Sequence, residues 1–152
     1  MNCSLIQPKL WIGPDPRLDE DFRYLKALQI TAILSLQDNE DRGLEGIQSE
    51  REAARRVAIA FHNVPVRDFS RADLQRRLPD CVTMLELLTG EGHSVYVHCT
   101  AGVNRSPTVV AAYLHWCAQW PLDRALAHIM ECRPCGPDDE AIRNAKWHRP
   151  SE

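Results

Sequence analysis

No stretch of this chain approaches the roughly 18 consecutive apolar residues that a membrane-spanning helix needs. Nor is there a surplus of positive charge: 18 Lys and Arg stand against 21 Asp and Glu, for a net charge of −3. Nucleic acid and anionic membrane surfaces both select a positive face, so neither is expected as a partner. The N-terminus, Met1-Asn2-Cys3-Ser4, has no basic segment followed by an apolar one. No signal peptide is predicted, and a cytoplasmic location is expected. Aromatic residues make up only 7% of the chain, so a broad stacking platform would have to be built from few side chains.

What is present fits one soluble globular domain: 152 residues, 44% apolar and 26% charged. A fold of this size buries roughly two-thirds of the surface its unfolded chain exposes, enough for a core without staples. Cys3, Cys81, Cys99, Cys117, Cys132 and Cys135 are scattered through apolar, periodic segments. Disulfide frameworks belong to short secreted chains, so free thiols in a reducing compartment are expected. Cys132 and Cys135 form one C-x2-C pair, with His128 four residues before it. A zinc site ordinarily takes a second pair or two well-placed histidines, which the other cysteines do not supply. The competing reading is a helix-end cysteine and a turn cysteine.

Lys9 to Ile12, followed by Gly13-Pro14-Asp15-Pro16, reads as a strand ending in a turn. Asp19 to Ile30 carries Phe22, Leu25, Leu28 and Ile30 on a helical pattern, with Asp19 as candidate cap. Thr31 to Leu36 is an apolar run of strand length. Gln37 to Gly46, acidic and with two glycines, reads as a loop. Gln48 to Ala58 reads as a polar surface helix, with Glu50, Arg51, Glu52, Arg55 and Arg56 in solvent. Ala60 to Val66 alternates like a strand, and a long helix is predicted over Ala72 to Leu88, with Pro79 a potential kink. Ser94 to His98 reads as a buried strand. Arg105 to Trp116 follows as a helix whose Pro107 sits where the first turn has no N–H bond to lose. Leu122 to Glu131 and Asp138 to Ala145 supply two more helices. Strands alternating with helices predict an α/β three-layer sandwich, a central mostly parallel sheet flanked by helices. Ligands in such sheets collect at the carboxyl ends of the strands.

That rule points to the end of Val95-Tyr96-Val97-His98, where Cys99-Thr100-Ala101-Gly102-Val103-Asn104-Arg105-Ser106 runs into a helix. A loop closing onto a helix N-terminus directs backbone N–H groups inward and makes an anion nest. Thr100, Ala101, Gly102, Val103 and Asn104 are therefore the candidate substrate-binding residues, Gly102 allowing a close backbone approach. Arg105 offers a planar fork that holds two phosphate oxygens at once. The field that binds an anion also stabilises a thiolate, which makes Cys99 a candidate nucleophile toward phosphorus. Ser106 can donate its hydroxyl to the sulfur, and His98 is expected to orient the loop. A Cys and an Arg with five residues between them recur by chance, but here the preceding His, the Gly, the following Ser and both flanking elements are also in place. Ester cleavage needs an acid for the leaving oxygen. Asp68 is the candidate, with helix capping as its alternative, and Asp73 is the fallback. Phe69 either stacks on a ring-shaped substrate or packs under the loop.

His98 to Pro107 resembles the phosphate-binding loop of the dual-specificity branch of the cysteine-based protein tyrosine phosphatase superfamily. The resemblance runs from about Ile6 to Trp147. Val66-Arg67-Asp68-Phe69 with Arg77-Leu78-Pro79, and Arg133 to Pro137 with Ala141 to Ala145, are similar to the plant starch (glucan) phosphatases and more distantly to laforin. The resemblance implies a single catalytic domain over residues 1–152, here expected to be a monomer. It implies Cys99 as nucleophile, Arg105 as clamp and Asp68 as mobile-loop acid, in a two-step mechanism through a phosphocysteine with neither metal nor cofactor. The expected partner is a phosphorylated substrate, a phosphoglucan or a phosphoprotein. A phosphate-binding adaptor without catalysis is disfavoured, because such modules typically lose the Cys or the Arg. The glucan enzymes grip sugar chains with aromatics around the pocket. Here Asp38 to Glu45 has none and Gly136 stands where one could help, which leaves Phe69, Trp11 and Trp147, each with core packing as a competing reading.

Overall fold

A computed structural model describes residues 1–148. Its elements, in chain order, are β1 (Ser4–Gln7), β2 (Leu10–Gly13), α1 (Asp19–Ala27), β3 (Ala32–Ser35), α2 (Asn39–Arg56) and β4 (Ala60–Asn63). They continue with α3 (Arg71–Gly90), β5 (Val95–His98), α4 (Arg105–Trp116), α5 (Leu122–Cys132) and α6 (Asp139–Asn144). Five strands form one sheet in the order β1-β2-β5-β3-β4, parallel except for the β1–β2 pair.

The layering follows from the two-residue period of the strands. On β3, Ala32 and Leu34 face one apolar cluster and Ile33 faces another; on β5, Val95 and Val97 face the first and Tyr96 the second. The first cluster takes Leu74, Leu78, Val82 and Leu85 of α3, Val109 and Val110 of α4, and residues of α5 and α6. The second takes Phe22 and Leu25 of α1 with Ile47, Ala53 and Ala54 of α2. Both faces of the sheet are thus covered, which is why its central strands read as unbroken apolar runs. Among the described residues no helix is long and apolar enough to cross a membrane.

Three local expectations are corrected. Gln37 to Gly46 is not a loop: Asp38 caps α2 by accepting from the Glu40 amide at 3.0 Å, and α2 begins at Asn39. The segment breaks internally at Gly43 (φ 74°), a conformation suited to glycine, so helical pattern and glycine signal coexist. Glu50 is not in solvent; it is 2% exposed. Asp19 does not cap α1; the Asp21 carboxylate accepts from the Arg17 and Leu18 amides instead. α3 continues across Pro79.

Candidate active site

The register of the parallel strands brings the ends of β2, β3 and β5 together, with Gly13 and Ser35 opposite His98. Beyond His98 the chain turns through Gly102 at φ 71°, where a Cβ would lie 2.5 Å from the Gly13 carbonyl carbon. Neighbours take up the loop's outward carbonyls. Asp15 N donates to Thr100 O at 3.1 Å, and Gly136 N to Val103 O at 2.8 Å. Arg133, 5% exposed, donates through Nε to Gly102 O at 2.8 Å and through Nη2 to Ala101 O at 3.1 Å. Because a peptide's N–H points opposite its C=O, fixing the carbonyls outward turns the amides inward and forms the nest. The Thr100 and Asn104 side chains serve the scaffold: Asn104 Nδ2 donates to Gly136 O at 3.1 Å, and Thr100 Oγ1 donates to Asp41 Oδ1 at 2.6 Å. Asp41 does not stand out in the sequence, and Arg133 does so only within the segment similar to the glucan phosphatases, with no role attached, since their partners are backbone carbonyls and residues far along the chain.

Cys99 is 3% exposed, with its sulfur 3.4 Å from Ser106 Oγ. Burial pushes its thiol pKa up, but hydrogen bonds from the Ser106 hydroxyl and amide, the charge of Arg105 and the Gly102 amide bring it below the ordinary thiol value. His98 is fully buried and bonded on both ring nitrogens. Nδ1 lies 2.9 Å from Cys99 O, and Nε2 lies 2.6 Å from Glu50 Oε2. A carbonyl and an ionised carboxylate only accept, so opposite a Glu50 carboxylate both nitrogens donate, the hydrogen-bond pattern of an imidazolium. Burial works against that charge; Glu50 outweighs it and raises the His98 pKa. A cation therefore sits one residue before the nucleophile, held by a carboxylate on α2.

Arg105 is the other cation, with a 2% exposed side chain. Its Nη1 donates to Asp41 Oδ2 at 2.9 Å and Val66 O at 2.8 Å, and its Nη2 donates to Asp41 Oδ1 at 2.8 Å. Asp68 Oδ2 lies 3.3 Å from Nη2, so this carboxylate reaches the phosphate loop. Asp68 does not cap α3; Ser70 does, accepting from Asp73 N at 3.1 Å. Asp73 is engaged by the Arg67 amide at 2.8 Å and by Arg76, in the first turn of α3. Phe69 is 99% exposed and left-handed, at φ 59°. It packs under nothing. Trp11 packs against the second core cluster, and Trp147 stacks on Trp116 with ring centres 4.9 Å apart.

All six cysteines are free. Cys132 ends α5, 3.7 Å from His128 Nε2, which also bonds Ile6 O at 2.7 Å. Among the described residues no group of three or more His, Cys, Asp or Glu side chains is placed to hold a metal ion.

Sulfur at the bottom of an amide nest, with an arginine beside it, can receive a phosphate dianion and attack its phosphorus, the chemistry of the cysteine-dependent phosphomonoesterases. The model of the dual specificity phosphatase catalytic domain matches residues 10–144, and the chain belongs to that family. It is 34% identical over 149 residues to the chloroplastic phosphoglucan phosphatase LSF1 of Arabidopsis thaliana, covering 97% of this chain and 25% of that protein. It is 34% identical to the amyloplastic phosphoglucan phosphatase DSP4 of Castanea sativa (95% and 40% covered) and 31% identical to laforin of Mus musculus (96% and 48%). The chain thus spans between a quarter and about half of the length of these relatives. Among solved structures, it shares its fold with the Cydia pomonella PTP-2 phosphatase (TM-score 0.77, 19% identity, 93% of this chain and 86% of that one). A mouse putative dual specificity phosphatase complexed with zinc tungstate is also similar (TM-score 0.72, 25% identity, 93% and 84% covered).

Proposed function

We propose that this chain removes phosphate from phosphorylated glucans through a phosphocysteine at Cys99. The thiolate attacks phosphorus, the ester P–O bond breaks, and Asp68 gives its proton to the leaving sugar oxygen. Asp68, now a carboxylate, takes a proton from water as the water oxygen attacks the phosphocysteine. The S–P bond breaks, inorganic phosphate leaves, and the Ser106 hydroxyl 3.4 Å from the sulfur stabilises the returning thiolate. Arg105 and the loop amides hold the phosphoryl oxygens throughout.

The glucan reading rests on Phe69. A left-handed backbone at a bulky residue costs about 1–3 kcal/mol, and burial does not offset it at a ring 99% exposed. A flat apolar face beside the acid suits the apolar face of a sugar ring. Identity of 34% to two phosphoglucan phosphatases across nearly the whole chain supports the same reading. Beside this loop lies a groove of about 800 Å³ whose lining includes Asn63, Arg67, Ser70, Asp73 and Arg76. Its polar side chains suit the hydroxyls of a longer sugar chain. The test compares phosphate release from phosphorylated amylopectin with release from phosphotyrosine and phosphothreonine peptides. Preference for the glucan, lost in Phe69→Ala while an aryl phosphate is still cleaved, is expected. Faster turnover of the peptides would assign a protein substrate instead, a reading consistent with 30% identity to rat dual specificity protein phosphatase 5.

A further inference from the structure

Arg105 carries five N–H donors, and four of them belong to the two terminal nitrogens. Asp41 takes the end edge of the guanidinium with both carboxylate oxygens, at 2.9 Å from Nη1 and 2.8 Å from Nη2. Val66 O takes the other Nη1 proton at 2.8 Å, and Thr100 Oγ1 lies 3.3 Å from Nη2. Nε is buried and has no hydrogen-bond partner. A buried donor left unpaired carries a desolvation cost, so its presence marks the place of an absent acceptor. On the remaining bidentate edge of the fork Nε is unpaired, and Nη2 meets only the long contacts to Thr100 Oγ1 and Asp68 Oδ2, each at 3.3 Å, so this is the edge that two phosphate oxygens can take.

Asp41 is itself firmly held. Thr100 Oγ1 donates to its Oδ1 at 2.6 Å and the Asp38 amide to its Oδ2 at 2.9 Å. Burial pushes its carboxyl pKa up, yet the hydrogen bonds from Arg105 and Thr100 hold it well below the usual carboxylate range, so it is ionised at neutral pH. Gln37 completes the frame by donating to Thr100 Oγ1 and Asp15 Oδ2, both at 3.0 Å.

We propose that Asp41 is a positioning residue that fixes the plane of Arg105 and presents its Nε–Nη2 edge to the transferring phosphoryl group. The loop amides bind the ground-state dianion whatever the fork does. The pinned fork matters most when the equatorial oxygens flatten in the transition state, because its donors are already in place. Asp41 thus acts on kcat more than on KM. The inference rests on Arg105 being the phosphate clamp, but not on the substrate being a glucan.

The test uses an aryl phosphate and the full chain. Asp41→Asn is expected to lower kcat by about tenfold to a hundredfold, the scale of an ångström-size misplacement, with KM changed by less than about threefold. Asp41→Glu is expected to recover part of the loss. Unchanged kcat with tighter inhibition by inorganic phosphate would overturn the proposal and make Asp41 a repulsive latch. Arg105→Ala separates the two claims: activity surviving there would remove the clamp reading on which this rests. Should Asp41→Asn not fold, a structure of the wild-type chain with tungstate decides. Oxygens on Nε and Nη2 with Asp41 still on the end edge support the proposal; an anion that displaces Asp41 overturns it.

Discussion

The segment Val95 to Trp116 carries its chemistry in one continuous stretch, whereas α2 reaches the same site from a distance. Its Asp41 and Glu50 bind Arg105 and His98 from 64 and 48 residues away. The two regions do different work. The loop turns its backbone amides inward, so what it can receive depends on local geometry: a strand, a left-handed glycine and a helix start. α2 lines part of the groove beside the site and also supports the loop from behind. It holds two buried cations, and without it His98 would lose its carboxylate partner and Arg105 would keep only Asp68, at 3.3 Å. A phosphate trap in a protein of net charge −3 is thus a positive loop backed by negative supports.

If the division is right, breaking the loop abolishes chemistry and breaking α2 detunes it. Cys99→Ser should lower turnover by roughly 10⁴–10⁶-fold, as loss of a nucleophile does, while inorganic phosphate still binds by calorimetry; residual turnover near wild type would remove Cys99 from the reaction. Asp68→Ala should slow alkyl phosphates by about 10²–10⁴-fold and aryl phosphates with good leaving groups far less. Equal slowing of both would move the acid elsewhere.

On the α2 side, Glu50→Gln should have the smaller effect and show it in pH dependence. With the imidazolium no longer paired, the Cys99 thiolate loses a neighbouring cation, and the midpoint of its alkylation by iodoacetamide should move to higher pH. An unmoved midpoint would reduce Glu50 to packing. His98 has a raised native pKa, so its pairing stabilises the fold fully below its unfolded value of about 6.5 and ceases to do so as pH rises through the native value. The stability gap between wild type and Glu50→Gln, from urea unfolding, should therefore be widest at acid pH and narrow on the alkaline side.

The same contrast explains what could be read from residues alone. The Val95–His98 strand, the Cys99–Asn104 loop and the helix from Arg105 were legible because strand, glycine and helix signals are local and fall in order. Asp68 was legible as a loop carboxylate after a strand, although only its 3.3 Å approach to Arg105 separates it from the capped Asp73. α2 was not legible. Asp38, Glu40, Asp41 and two glycines look like a solvated loop, and Glu50 among Arg51 and Glu52 looks like an exposed helix face. Their burial follows from what stands opposite them, and a charged residue gives no local sign of a distant partner. Arg133 lies in a segment similar to the glucan phosphatases, but its role was not legible for the same reason, its acceptors being the carbonyls of Ala101 and Gly102.

The most direct test of the account is to trap the covalent intermediate. Wild type and Asp68→Ala are mixed with an aryl phosphate, quenched in acid within a turnover and digested, and the peptide holding Cys99 is weighed. A phosphoryl group on Cys99, more abundant in Asp68→Ala because that variant lacks the base for water, is the predicted result. Phosphate release with Cys99 unmodified throughout would contradict it.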